Sequence, residues 1–172
     1  FKVDLNSVSV HRSSIIHTEG RGLEALRYLI QINMVMRSYL ALGVTEKMTS
    51  LIAAYTSERK QFDRVIASFQ AVSHRAADCF IDLECLRLVN QQAAINLNSN
   101  LDCENDALVA KIWASNAAHK ISYSAQHLHG GIGADKDYLL WRYCLLAKEC
   151  ELINGSSSQN IERLGLNITS NQ

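Results

Sequence analysis

The sequence predicts an all-α fold, an antiparallel four-helix-type bundle preceded by one N-terminal β-strand. Apolar residues recur at helical spacing over most of the 172 residues. The chain contains no proline, which suits long uninterrupted helices. Its length is that of one ordinary domain, which is enough to bury a core.

The predicted strand covers residues 1–10, where apolar and polar side chains alternate. A single strand is not stable alone, so it is expected to belong to a sheet whose remainder lies upstream. The chain also begins without methionine. Both observations indicate the C-terminal part of a longer protein.

Several helices are predicted after a polar link over residues 11–21. The first is unusually long, and Gly43 within it is expected to allow close packing of a neighbouring helix. Asp106 is the predicted N-cap of the third helix, whose many alanines imply tight contact with a neighbour. The predicted bounds are 22–58, 69–96, 106–126 and 137–152, with a short fifth helix after Ser156 and Ser157. In the second helix, the residues expected to face inward are Val72, Ala76, Phe80, Leu83, Leu86 and Val89.

The charge and cysteine content exclude several classes of protein. Basic and acidic residues balance at 17 each, which argues against a nucleic-acid-binding or polybasic membrane surface. No stretch reaches the roughly 18 consecutive apolar residues of a transmembrane helix. Five cysteines without CxxC spacing indicate buried free thiols in a reducing compartment, so the protein is expected in the cytoplasm.

Two segments of the sequence could carry chemistry. Residues 126–135 close the third helix with a glycine-rich turn, where bare backbone lets a ligand approach and free N–H groups suit an anion. Arg59 lies at the end of the first long helix. A guanidinium there either binds a phosphate through two hydrogen bonds or stabilises the helix by complementing its dipole. His127 and His129 lie beside the turn without further ligands, so no metal site is expected, and a packed ring is a simpler role for His129 than a catalytic base.

A series of short motifs runs along the chain: Tyr55-x-x-x-Arg59-x-Gln61-Phe62, Phe69-Gln70-Ala71-Val72, Ala110-Lys111, Gln126-His127-Leu128-His129-Gly130-Gly131-Ile132-Gly133, Tyr138, Arg142-Tyr143 and Ala147-Lys148. In order and spacing they resemble the acyl-CoA dehydrogenases, and the resemblance covers almost the whole chain. It implies that residues 1–20 are the end of that family's middle β domain with its linker. Residues 21–172 would then form the C-terminal helical bundle, which serves FAD binding and oligomerisation.

The resemblance implies an FAD-dependent enzyme that dehydrogenates an acyl-CoA thioester at its α and β carbons. The family binds FAD across a subunit interface, so the implied partners are the acyl-CoA substrate and a second acyl-CoA dehydrogenase subunit, in a tetramer. No nucleic acid or membrane partner is expected. Carried over by position, the FAD-contacting residues are Arg59, Phe62, Gln70, His127, Gly130, Gly131, Ser156 and Ser158, with His127 at the position of the family's usual glutamine.

The family's catalytic glutamate has no counterpart at either of its usual positions. The commoner position falls on Asn154, and the alternative position on the first long helix falls on Asn33. An amide cannot accept the substrate α-proton as a carboxylate can. The resemblance, which is closest to bacterial heteromeric subunits, therefore predicts a chain that contributes FAD binding and a subunit interface but lacks its own base.

Two alternatives remain open. Glu151 lies one turn before Asn154 and could act as a displaced base in an active homo-oligomeric dehydrogenase. A shift of one turn moves a carboxylate by about 5 Å, which is too far for proton transfer unless the substrate also moves. The chain could instead be a structural helical module without flavin or catalysis, although Arg59, Phe62 and the Gly130-Gly131 pair argue against that loss.

Overall fold

The computed structural model, which describes residues 2–16, 18, 20–99 and 103–170, confirms the all-α bundle. The α-helices of this part of the chain are α1 (Gly22–Glu58), α2 (Gln70–Asn98), α3 (Glu104–His129), α4 (Leu140–Leu152) and α5 (Ser157–Ser170). A two-stranded antiparallel hairpin joins α1 to α2, with β1 (Lys60–Gln61) paired to β2 (Arg64–Val65). Short 3₁₀ segments cover Arg12–Ser14, Ile66–Ser68 and Gly130–Ala134.

Helix α3 lies at the centre of the bundle and contacts each of the other four described helices. Its buried face consists largely of alanine methyl groups, which let the backbones of neighbouring helices come close. The buried alanines are Ala107, Ala110, Ala114, Ala117, Ala118 and Ala125. The tight contact predicted from these residues is confirmed, and larger side chains such as Met48, Ile52 and Leu86 fill the core around them.

The N-terminal residues do not form the predicted strand. Residues 2–10 are exposed and have no strand pairing, and Phe1 lies outside the described residues. A strand is stabilised by hydrogen bonds to a neighbouring strand. The described part of the chain contains only the two-residue strands β1 and β2, which pair with each other. The alternating pattern is therefore present without a sheet to join.

Some apolar positions that the periodicity assigns to helix contacts are exposed. Phe80 is predicted to face inward, yet it is 56% exposed on α2. Leu26 and Leu29, which recur at helical spacing near the start of α1, are exposed as well. The prediction of close packing at Gly43 is wrong within the described residues, because the space where a Cβ would stand is open. Helical periodicity shows which faces are apolar, but it does not show whether this chain supplies the neighbour that covers them.

The start of α3 also differs from the prediction. Its N-cap residue is Cys103, so Asp106 is not the cap and lies instead in the first turn. There its carboxylate accepts a 2.8 Å hydrogen bond from Asn96 Nδ2. An acidic residue in the first turn of a helix interacts favourably with the helix dipole. An aspartate there is therefore hard to tell from an N-cap aspartate in the sequence alone. Leu101 and Asp102, in the predicted loop before α3, lie outside the described residues.

No helix in the described part of the chain combines the length and the apolar character needed to cross a membrane.

Candidate functional site

The end of α1 presents an exposed cation. Arg59 caps this helix, and its N–H donates to the Tyr55 carbonyl at 2.9 Å while its own carbonyl accepts from the Ile66 N–H at 2.8 Å. These bonds fix the backbone of Arg59. The residue itself is exposed, and its guanidinium makes no hydrogen bond or ion pair with the described residues. It can therefore bind an anion from outside the chain. At the C-terminal end of α1 the positive charge also interacts favourably with the helix dipole.

The hairpin turn after Arg59 holds an exposed aromatic ring in a strained backbone conformation. Phe62 and Asp63 have φ values of 54° and 62°, as in the two-residue turns that usually contain asparagine and glycine. Left-handed backbone is uncommon for a bulky residue and is often retained at functional positions. Phe62 is 87% exposed and meets the ring of Phe69 edge-on, with 6.1 Å between centroids. Gln70 follows as the first residue of α2 and is also exposed.

The glycine turn after α3 leaves its backbone open. Gly130 has φ 62° and ψ −140°, a conformation that side chains strongly disfavour. No atom lies within 4 Å of the place where a Cβ would stand on Gly130 or Gly131. At Gly133 the requirement is different, because a Cβ would come within 2.9 Å of the Gln126 carbonyl oxygen. Gly133 is therefore needed for the fold of the turn, while Gly130 and Gly131 leave room for a ligand.

The buried His129 connects this turn to the end of α1. Its ring stacks on Tyr55 with 4.5 Å between centroids and lies 5.4 Å from the ring of Tyr138. Its Nδ1 donates to the Ala125 carbonyl at 2.7 Å. Burial lowers the pKa of His129, with the hydrogen bond to that carbonyl acting in the opposite direction. His129 is thus a packed neutral ring, and it holds Arg59 and the glycine turn at the same end of the bundle.

His127 has the opposite environment. It is exposed, its Nδ1 lies 2.7 Å from Arg75 Nη1, and its ring stacks on Tyr123 with 6.4 Å between centroids and an interplanar angle of 13°. No group of three His, Cys, Asp or Glu side chains in the described residues could hold a metal ion. Arg75 was not singled out by the sequence, because its contact with His127 joins two helices far apart in the chain.

The two amides at the expected base positions contact each other. Asn154 Nδ2 donates to Asn33 Oδ1 at 2.7 Å, although the two residues belong to the α4–α5 turn and to α1. Asn154 and Gly155 have φ values of 61° and 92°, and asparagine is one of the few residues that tolerate such backbone. The family resemblance assigned the two residues to alternative positions of one catalytic group, and the structure brings them together.

The turn after Asn154 is held mainly by its own polar residues. The buried Asn160 donates from Nδ2 to the carbonyls of Asn154, Gly155 and Ser156 at 3.3, 3.0 and 3.0 Å. Ser156 and Gln159 form a capping box at the start of α5, in which the Ser156 N–H donates to Gln159 Oε1 at 2.9 Å. The Ser156 hydroxyl is engaged as well, since it donates to Gln159 Oε1 at 3.3 Å and accepts from the Gln159 N–H at 3.4 Å. Ser158, in the first turn of α5, is exposed.

A buried lysine that the sequence reasoning left without a role supports the other side of this turn. Lys111 of α3 is fully buried, and its Nζ donates to the carbonyls of Cys150 and Glu151 at 2.9 and 3.0 Å and to Ser115 Oγ at 2.5 Å. These carbonyls belong to the last turn of α4, where a cation satisfies groups that have no helical partner. Burial lowers the pKa of Lys111 from 10.5 to about 8, and the nearby Cys150 and Glu151 oppose that shift.

The lowered pKa of Lys111 makes the stability of the protein pH-dependent. Between about pH 8 and 10.5 the unfolded chain keeps the Lys111 proton that the folded chain releases, so stability rises with pH in this window. The slope for one proton is at most about 1.4 kcal/mol per pH unit. We expect Lys111→Met to lose this slope in denaturant unfolding curves recorded across the window. Lys120→Met, at an exposed lysine of the same helix, should keep it, and equal slopes in Lys111→Met and the wild type would contradict the assignment.

Glu151, the alternative base, is already paired through its side chain. Its Oε2 accepts hydrogen bonds from Lys148 Nζ and, at 3.3 Å, from His119 Nδ1. Partial burial raises the pKa of the Glu151 carboxyl, but the hydrogen bonds from Lys148 and His119 outweigh burial and the net shift is downward. A carboxylate with a lowered pKa is a weaker base. Glu149, two residues earlier, is paired with Arg37 at 2.9 Å.

Comparisons with known proteins show similarity over most of the chain. The sequence profile of the acyl-CoA dehydrogenase C-terminal domain matches residues 20–168. Acyl-CoA dehydrogenase FadE27 of Mycobacterium tuberculosis is 36% identical over 152 residues, which cover 84% of this chain and 41% of that protein. The structure of the ChsE4-ChsE5 complex from Mycobacterium tuberculosis is similar with a TM-score of 0.79 and 37% identity, over 83% of this chain and 39% of that one.

The structure of a variant of the Tcur3481-Tcur3483 steroid ACAD is also similar to this chain. The TM-score is 0.84 with 36% identity, over 86% of this chain and 41% of that chain. The chain thus spans about two fifths of the length of the relatives that it matches.

Proposed function

Because the chain belongs to the acyl-CoA dehydrogenase family, we propose that it takes part in FAD-dependent α,β-dehydrogenation of an acyl-CoA thioester to the enoyl-CoA. In this proposal the chain contributes FAD binding and a subunit interface but no catalytic base. Residues 1–20 are the end of a middle β domain with its linker, and residues 21–172 are the helical domain. A second acyl-CoA dehydrogenase subunit supplies the glutamate, in a cytoplasmic tetramer.

The residues at the hairpin end of the bundle fit a dinucleotide. Arg59 offers an exposed guanidinium for a diphosphate, and the exposed ring of Phe62 offers a surface for a heterocycle. Gly130 and Gly131 offer backbone that no side chain obstructs. Gln70 and His127 add exposed polar groups at the same end. A cation, an aromatic ring and open backbone together are the contacts that a nucleotide diphosphate requires.

The distance between the two parts of the site supports a cofactor shared between subunits. From Asn33 in α1 to the C-cap Arg59, the chain spans about 39 Å at the rise of an α-helix. A single FAD molecule is too short to reach from Arg59 to the pair formed by Asn33 and Asn154. Arg59 would therefore hold an FAD that lies next to a base position of another subunit, while Asn33 and Asn154 would lie next to a different FAD. This geometry favours an oligomer in which binding and base functions come from different chains.

The side chains at the base position support the proposal that this chain binds FAD while a second subunit supplies the catalytic base. The α-proton of a thioester is only weakly acidic, so its removal requires a well-placed carboxylate. Bound FAD would accept the β-hydrogen as hydride. At Asn33 and Asn154 the side chains are amides that satisfy each other with a 2.7 Å hydrogen bond, and neither can take up a proton at neutral pH. The proton is then taken by a carboxylate from the second subunit.

The relatives add support for a heteromer. The ChsE4-ChsE5 complex and the Tcur3481-Tcur3483 steroid ACAD are each named as a pair of components. We therefore include steroid-derived acyl thioesters among the substrates to be tested. The five cysteines form no disulfide, and Cys79, Cys103 and Cys150 are buried, which suits the reducing compartment in the proposal.

The proposal is tested with the full-length protein, purified together with any subunit that accompanies it. We expect visible flavin absorption and conversion of an acyl-CoA to its enoyl product. Glu151→Gln should leave this activity unchanged, since its carboxylate is held by Lys148 and His119. Loss of flavin reduction in Glu151→Gln with FAD still bound would favour the homo-oligomer with a displaced base. A colourless complex that does not take up added FAD would favour the structural module.

A further inference from the structure

The two histidines beside the glycine turn have opposite tautomers, and Arg75 fixes the exposed one. Arg75 Nη1 lies 2.7 Å from His127 Nδ1. A guanidinium has only donors, so His127 Nδ1 is the acceptor and the proton of the neutral ring is on Nε2. In His129 the proton is on the other nitrogen, because Nδ1 lies 2.7 Å from the Ala125 carbonyl and must donate to it. His127 therefore has an N–H donor at Nε2, with no partner in the described part of the chain.

The orientation of the His127 ring is also constrained. Tyr123 lies one turn earlier on α3 and stacks on it, with an angle of 13° between the ring planes. The arginine on α2 and the tyrosine on α3 thus fix both the plane of the ring and the position of its proton, although the residue is exposed. Such fixing reduces the ordering that a ligand must bring about when it binds.

We propose that Arg75 is a positioning residue for FAD binding, which keeps His127 in its Nε2–H tautomer as a hydrogen-bond donor to the cofactor. The donor replaces the amide N–H of the glutamine that the family usually has at this position. The inference rests on the proposed function of the chain in FAD binding. It gives a physical reason for the histidine: an imidazole can stand in for an amide donor when a neighbour determines which nitrogen carries the proton.

A double-mutant cycle separates this role from direct contact and from general support of the fold. Dissociation constants for FAD are measured with the full-length protein and any accompanying subunit. Arg75→Met is expected to weaken FAD binding about two- to tenfold, because FAD must then order the His127 ring and select its Nε2–H tautomer on binding. In a His127→Gln background the same substitution should have little effect, because an amide has N–H donors without help from Arg75. Arg75→Lys, which retains a donor for Nδ1, should recover much of the affinity.

The controls decide between the possible outcomes. Arg87→Met removes another cation from α2, where Arg87 is paired with Glu46 and Glu84, and should leave FAD affinity unchanged. Equal weakening by Arg75→Met in both backgrounds would overturn the inference, because Arg75 would then bind FAD or support the fold directly. No weakening in either background would overturn it as well. If the unmodified protein binds no FAD, the proposed function itself fails, which is a distinct result.

Discussion

Replacing Arg59 with alanine is expected to weaken FAD binding about a hundredfold, since a guanidinium makes two charge-assisted hydrogen bonds to a phosphate and each contributes about 1.5 kcal/mol or more. The stability of the protein should change little, because the exposed guanidinium makes no hydrogen bond or ion pair with the described residues. FAD dissociation constants and thermal unfolding of the same samples measure the two effects separately.

Two variants control the Arg59 result. Arg59→Lys keeps the positive charge without the planar pair of donors, so it should recover only part of the affinity. Lys60→Ala removes the neighbouring exposed cation and should leave FAD binding close to that of the unmodified protein. The account is contradicted if Arg59→Ala binds FAD normally, or if Lys60→Ala is equally damaging.

A glutamate at either of the paired amides is expected to give the chain a base of its own. Because Asn154 Nδ2 and Asn33 Oδ1 are 2.7 Å apart, carboxylates introduced at the two positions would reach nearly the same place. We expect Asn154→Glu and Asn33→Glu to increase flavin reduction by acyl-CoA at that site about 10²–10⁴-fold, the usual contribution of a general base. Stopped-flow measurement of flavin reduction in the full-length assembly gives the rate.

Glutamine provides the matched control, since it has the length of glutamate without its basicity. Asn154→Gln and Asn33→Gln should stay as slow as the unmodified chain. The left-handed backbone of Asn154 adds a cost of roughly 1 kcal/mol for a residue other than asparagine or glycine, whereas Asn33 lies in regular helix. Asn33→Glu is therefore the safer test. Glutamate variants no faster than their glutamine counterparts would count against the assignment of this base position.

The helices were predictable from the sequence, but the burial of their apolar faces was only partly predictable. Apolar spacing and the absence of proline predict the long helices, and α1 spans Gly22–Glu58 as expected. The exposure of Phe80 and the open space at Gly43 could not be predicted, because periodicity does not show which neighbour covers a face. The strand over residues 1–10 has the right pattern, yet a strand needs a partner that the described chain does not contain.

The site was predictable where single residues carry the signal. Arg59 before a turn and Gly130 after a helix are visible in the sequence, and the structure leaves both exposed. The contacts between distant residues are not encoded by any local pattern. The Arg75–His127 hydrogen bond joins two helices and had no signal in the sequence. The Asn33–Asn154 hydrogen bond also joins distant segments, and only the family resemblance indicated that these two residues lie close together. Their FAD-binding and base-site roles remain predictions.

The division of labour between subunits is tested most directly by the rate of flavin reduction after anaerobic mixing with an acyl-CoA. The full-length protein is compared alone and in complex with the subunit that accompanies it. The account predicts reduction only in the complex, at a rate that Asn33→Ala and Asn154→Ala leave unchanged and that removal of the other subunit's catalytic glutamate abolishes. Rapid reduction by the full-length protein alone, without a second kind of subunit, would contradict the claim that this chain binds the flavin for a base supplied by its partner.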